Sequence, residues 1–164
     1  MSTSDKSQWE RKGRELFAAA RFKLASQAFR MAELPHDAAI SNAFYLKEQA
    51  DVVASTGRLR AIALGEAADA FCAVAENDPD MRQQLNYYGI GADCFLEIPA
   101  APKAASTYVL AHEYSRAVEV FRSVAMFDDA LKVIDRNPTQ VGGCLSEKVI
   151  YAAKIQYFRT RRLE

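Results

Sequence analysis

Five side chains hold most of this chain's capacity to ligate a metal or form a nucleophile: Cys72, Cys94, Cys144, His36 and His112. A structural zinc site needs four such ligands converging, and a cysteine nucleophile needs a base beside it. These five are widely spaced. His112 stands next to Glu113 on what reads as a short helix, with no second ligand three or four residues away; His36 reads as a helix-start residue. Each cysteine falls inside an apolar helical pattern, which predicts three buried free thiols. Asp128-Asp129 is an acidic pair at a helix start, where the helix dipole favours negative charge. Acid/base work of the glycosidase kind would need a burial and a partner for which the spacing provides no sign.

Phosphate chemistry would need a G-x4-G-K-[ST] loop, in which backbone N–H groups and a lysine hold the phosphates. The nearest glycine pair, Gly89-Ile90-Gly91-Ala92, has no such continuation and sits in an apolar helical pattern, so it predicts close contact between helices. Two basic clusters remain. Lys6 to Arg14 is interrupted by Glu10 and Glu15 and reads as a solvated helix face. Arg159, Arg161 and Arg162 follow Tyr157 and Phe158 and meet no acid before Glu164. They read as a cationic helix C-terminus, which offsets the dipole, with nucleic acid or an acidic partner as the alternative. No catalytic, metal-binding or cofactor-binding residue is assigned, and the chain is expected to be neither an enzyme nor a cofactor carrier.

The elements that would position these groups follow from composition and period. Of 164 residues, 50% are hydrophobic and 26% charged, which fits a folded soluble domain. Seven glycines and five prolines leave little material for the turns of an all-β fold. Lys+Arg and Asp+Glu are 21 each, so there is no overall attraction to phosphate backbones or anionic lipid. The N-terminal stretch MSTSDKSQWERKGRE has no apolar signal core, and no stretch is long and apolar enough for a membrane span. With widely spaced cysteines, this points inside the cell, without distinguishing nucleus from cytoplasm.

Apolar residues recur at helical spacing from Trp9 onward. The spacing predicts helices at 7–19, 22–33, 37–55, 59–77, 80–96, 103–113, 116–125, 128–136 and 145–160, after a flexible tail over 1–6. Leu34-Pro35 ends the second helix. Gly57 suits a helix C-terminus needing positive φ. Asn77-Asp78-Pro79, Pro99 to Pro102, and Asn137-Pro138 with Gly142-Gly143 mark further turns.

An internal repeat runs through the second half. Units of 13 residues begin at Gly91, Ala104, Ala117 and Ala130. Each has a large apolar residue four positions on: Phe95, Tyr108, Phe121 and Ile134. The first three add Ile98, Ala111 and Val124 three further on. Positions i, i+4 and i+7 share a helix face, so each unit offers a notch beside a knob. The same step occurs at Ala25, Phe29, Ala32 and at Ala67, Phe71, Val74, where longer helices are expected. The repeat domain therefore spans 7–164, with longer repeats over 7–78, short units over 91–137 and a last helix over 145–160.

Trp9, Gly13, Leu16, Phe22, Ala25, Phe29 and Ala32 resemble a tetratricopeptide repeat, departing from it at Lys12, where leucine is usual, and at the early Pro35. The run KAASTYVLAHEYSRAVEVFRSVAMFDDALKVID resembles the helical repeat region of large fungal UvrD-like helicase proteins, shared with animal TPR-and-ankyrin-repeat proteins. There it accompanies a separate superfamily I helicase core; the resemblance implies that such a motor would lie elsewhere in a longer polypeptide.

The expectation is an all-α, tetratricopeptide-like α-solenoid of antiparallel helix hairpins in a right-handed superhelix. Its function would be that of a non-catalytic protein-interaction scaffold, a segment or relative of that repeat region, taking a protein or peptide partner in its concave groove. A nucleic-acid-handling accessory module of a helicase is the alternative. Which faces form the groove depends on superhelix geometry rather than on spacing, so no binding residue is assigned. The last helix carries Leu145, Val149, Ile150, Tyr151, Ala152, Ala153, Ile155, Tyr157 and Phe158 around its whole circumference, which predicts exposed apolar surface that binds a partner, self-associates or is covered by following sequence in a longer protein.

Overall fold

The computed structural model describes residues 3–53 and 57–161. Within them the chain is all-helical, as α1 (Thr3–Ala18), α2 (Phe22–Met31), α3 (Pro35–Val52), α4 (Gly57–Asn77), α5 (Met81–Leu96), α6 (Ala101–Leu110), α7 (Tyr114–Ser123), α8 (Phe127–Arg136) and α9 (Gly143–Arg161). Every substantial helix–helix pairing joins sequence neighbours, except that α7 also touches α9. The helices thus form a stack built from local contacts rather than a bundle closed by first-to-last packing.

The turns explain the 13-residue period. At Ala20, Glu33, His112 and Ala125 the backbone has φ of 55°, 59°, 59° and 59°. In each case the left-handed residue donates to the carbonyl three back, and the next residue to the carbonyl five back: Glu33 N to Arg30 O at 3.1 Å and Leu34 N to Phe29 O at 2.9 Å, or Ala125 N to Arg122 O at 3.1 Å and Met126 N to Phe121 O at 2.9 Å. This is the paired-bond helix ending in which a left-handed residue satisfies the last free carbonyls. That next residue (Arg21, Leu34, Glu113 or Met126) is at once the N-cap of the following helix. Four residues on, an alanine makes the first intrahelical bond: Ala25 N to Arg21 O, Ala38 N to Leu34 O, Ala117 N to Glu113 O, Ala130 N to Met126 O. All four alanines are buried. So tight a turn presses the new helix's first turn against the old helix, and only a small residue fits.

The expectation that Gly57 ends a helix with positive φ is corrected. No glycine among the described residues has positive φ, and Gly57 begins α4 instead of ending α3. The left-handed conformation costs a non-glycine residue roughly 1–2 kcal/mol; the paired backbone bonds on both sides hold it in place. Two further corrections follow. α2 is a 10-residue helix with the short-unit turn at both ends, so the stretch 7–78 is not uniformly built of long repeats. The expected tail is helical from Thr3, where Lys6 bonds Glu33 across to the turn after α2 and Asp5 lies in the dipole-favoured first turn; residues 1 and 2 lie outside the described residues.

The knobs and notches pack as their spacing predicts. Ala67, Phe71, Ala104, Tyr108 and Ala117 are fully inaccessible, and Phe29, Phe95, Phe121 and Ile134 nearly so, whereas Ile98 is half-buried and Val124 exposed. At Gly91, a Cβ would stand 3.2 Å from both Ala68 O and Cys72 Sγ, so this glycine serves close approach of α5 to α4, whereas a Cβ at Gly89 would meet Glu113 Oε1 at 2.9 Å. A chain of rings crosses the first five helices: Phe17, Phe22 and Phe44 lie 5.3–5.5 Å apart, Phe44 is edge-on to Phe71 at 5.1 Å, and Phe71 faces Tyr87 at 6.3 Å. Such contacts add to area burial.

Candidate interaction surfaces

Trp9, Lys12 and Leu16 recur on one face of α1; Leu24, Ala28 and Met31 recur on one face of α2. Between these faces runs a groove of about 660 Å³. Its floor is apolar. Leu24 and Met31 are 46% and 47% exposed, while Ala28 below them is buried. Its rim is cationic: Lys12, Arg21 and Arg30. Lys12 Nζ lies 5.4 Å from the Trp9 ring centre, a cation–π contact that leaves its charge at the rim. None of the three rim cations forms an ion pair among the described residues. Glu10, Glu15 and Glu33 nearby are engaged by Arg14, Arg11 and Lys6.

The second surface is α9. Val149 is its one buried residue; Ile150, Tyr151, Tyr157 and Phe158 are exposed, the last by 64%. A cleft of about 320 Å³ separates α9 from the start of α8, bounded by Phe127, Asp128, Asp129, Ala153 and Tyr157. Arg161 stacks on Tyr157 at 4.9 Å. Arg159 and Arg161 occupy the last turn as expected; Arg162 and Glu164 lie outside the described residues.

The structure does not gather the five metal- and nucleophile-capable side chains. Cys94 is buried and Cys72 half-buried, and burial pushes both thiols up to about 11, so they stay protonated and unreactive at neutral pH. Cys144 is exposed, contrary to expectation, because it lies at the outer start of α9 beyond the packed repeats. His112 is the left-handed turn residue between α6 and α7, stacked on Tyr114, rather than a helical residue. His36 does stand at a helix start. Its Nε2 is 2.8 Å from Oδ2 of the buried Asp78, whose Oδ1 accepts from Asp80 N. Gln84 Nε2 donates to Asp78 O. The cluster ties the start of α3 to the α4–α5 turn.

A second polar tie joins α5, α6 and α7. Tyr108 donates to Asp93 Oδ1 at 2.5 Å, Arg116 donates to the same oxygen at 2.7 Å and to Glu113 at 2.9 Å, and its guanidinium lies over the Tyr108 ring. Burial, then the bond to Asp93, raises the Tyr108 hydroxyl pKa. Both clusters have their buried polar atoms satisfied internally. Among the described residues no three His, Cys, Asp or Glu side chains gather as metal ligands, and no helix is long and apolar enough to cross a membrane.

Comparison with protein-family models, with curated proteins and with solved structures finds no match to this chain. The groove residues had one sequence signal, an apolar pair seven apart (Leu24 and Met31) on the face opposite the buried Ala25 and Phe29. Periodicity alone assigns such a pair to no surface, since a second helix must lie alongside to make a groove.

Proposed function

We propose that this chain is a protein-binding helical repeat, a tetratricopeptide-like scaffold whose α1–α2 groove receives a peptide or helix from a partner. The apolar floor with exposed Leu24 and Met31 carries this reading. A preformed groove between packed helices lowers the ordering cost of binding, and a partner that covers Leu24 and Met31 removes apolar area from water. Through the sequence resemblance alone, the reading extends to a repeat region carried beside a helicase core.

The test is selection of binders from a displayed library of random peptides, followed by competition. Binders should compete with one another and be lost in a Leu24→Ser/Met31→Ser double variant that melts like the parent. Binders indifferent to that double change, or none at all, would remove the groove as the functional surface. The nucleic-acid reading needs a cationic stripe across several units; the basic residues of α1 outside the groove are largely taken up in ion pairs.

A further inference from the structure

Resting on that reading, we infer that the groove's partner is an acidic amphipathic helix, two turns of which lie on Leu24 and Met31 with carboxylates directed at Arg21 and Arg30. The charge of the rim, the position of Arg21 and the spacing of the floor residues support this.

The first is charge. The rim carries Lys12, Arg21 and Arg30 and no acid. In a chain with no net charge, a one-sign rim is a local arrangement. The second is where Arg21 stands. It is the N-cap of α2 and, like Leu34, Glu113 and Met126 at the equivalent turns, places no side-chain bond on the first-turn N–H groups; it alone of the four is a cation. Ser, Thr, Asp or Asn would satisfy that turn, and a cation at a helix N-terminus opposes the dipole. An incoming carboxylate would meet the guanidinium at this rim. What sets Arg21 apart from the other turn caps is its charge, which stands on the rim of the groove. The third is length. Leu24 and Met31 are seven residues apart on one helix face, about 10 Å along the axis. A partner helix with apolar residues at i, i+3 or i+4, and i+7 presents anchors over the same span.

The groove suits nucleic acid less well. Its only aromatic, Trp9, is covered by Lys12, whereas single strands are bound on open ring faces in line with a tracked backbone.

The experiment uses the full chain and three helical peptides that share leucine anchors and differ at the flanking positions, which carry Glu, Gln or Lys. Fluorescence anisotropy is measured at low and high salt, with a single-stranded oligonucleotide as the fourth probe. The Glu peptide should bind about ten-fold more tightly than the Gln peptide at low salt, as expected for a few partly screened pairs, with the gap closing as salt rises. Arg21→Gln/Arg30→Gln, both exposed sites, should remove most of the gap while changing Gln-peptide affinity much less. Equal binding of the Glu and Gln peptides would overturn the acidic assignment while leaving the groove intact. Binding of no peptide would overturn the groove itself. An oligonucleotide bound more tightly than the Glu peptide, and lost in the same double variant, would overturn the inference in favour of nucleic acid.

Discussion

The ring of Phe29 fills the space that a side chain at Gly13 would need: a Cβ built on Gly13 stands 2.8 Å from both Cδ1 and Cε1 of that ring. α1 and α2 approach each other on this contact, with Ala25 and Leu16 beside it in the same cluster. Gly13→Ala should therefore destabilise despite the better helix propensity of alanine, because overpacking costs about 1–3 kcal/mol against a gain of about 1. Gly65→Ala is the control. It lies within α4, and the nearest outside atom to its Cβ would be Ile98 Cδ1 at 3.8 Å; that variant should gain about 0.5–1 kcal/mol. Urea unfolding of the two variants should move in opposite directions. A stabilised Gly13→Ala would mean that the Phe29 ring is not held against α1.

At the left-handed turns the sign reverses. Ala20→Gly and Ala125→Gly relieve a conformation that costs alanine about 1–2 kcal/mol, at the expense of greater unfolded-state freedom. Each should gain about 0.5–1 kcal/mol, and the two should add because they lie in different turns. Thermal melting of the single and double variants checks this.

The aromatic chain makes Phe71 a joint between α3, α4 and α5, since it touches both Phe44 and Tyr87 and is fully buried. Phe71→Ala should cost about 3–5 kcal/mol. A loss below about 1 kcal/mol would show that the rings do not tie these helices together.

Thiol reactivity distinguishes the three cysteines. Iodoacetamide at pH 8 should label Cys144 quickly, and Cys72 and Cys94 only on unfolding, as peptide mass spectrometry would report. The raised thiol values also give a pH dependence. Folded Cys72 and Cys94 hold their protons to about 11 against an ordinary 9.0. Between those values the native state binds more protons than the unfolded chain. Their contribution is thus fully present below pH 9 and lost as pH rises toward 11. Cys72→Ser/Cys94→Ala should flatten the alkaline limb of the stability profile without removing it, because burial also raises Tyr87 and Tyr108.

On α9, Phe158→Glu and Tyr151→Glu should leave folding stability within about 0.5 kcal/mol of the parent, since both side chains are more than half exposed. Sedimentation at rising concentration should show self-association of the parent that these changes reduce. A parent that stays monomeric would show that its exposed rings are not a contact between copies.

Each helix in the described structure was legible in the sequence to within a few residues, as were the buried identities of Ala104, Tyr108, Ala117 and Phe121. Period and side-chain size decide these, and both are local properties: a helix face repeats every 3.6 residues whatever it packs against. The 13-residue unit is legible as a pattern too, and its step is visible at Ala25, but the 13-residue spacing from Ala25 to Ala38 is not, because longer helices interrupt the register between Ala38 and Ala104. Tertiary structure decided the rest. Ala20, Glu33, His112 and Ala125 carry no sequence mark of positive φ; they adopt it where paired backbone bonds close one helix as the next packs back against it. Phe44 and Tyr87 meet Phe71 from two other helices, and the Trp9–Met31 groove exists only where α1 lies beside α2. Cys144 shares the apolar pattern of the buried cysteines but begins the last helix, with no further helix in the described structure to cover its outer face. A one-dimensional pattern states which face of a helix is apolar; only the neighbour that arrives, or fails to, determines whether that face becomes core, groove or open surface.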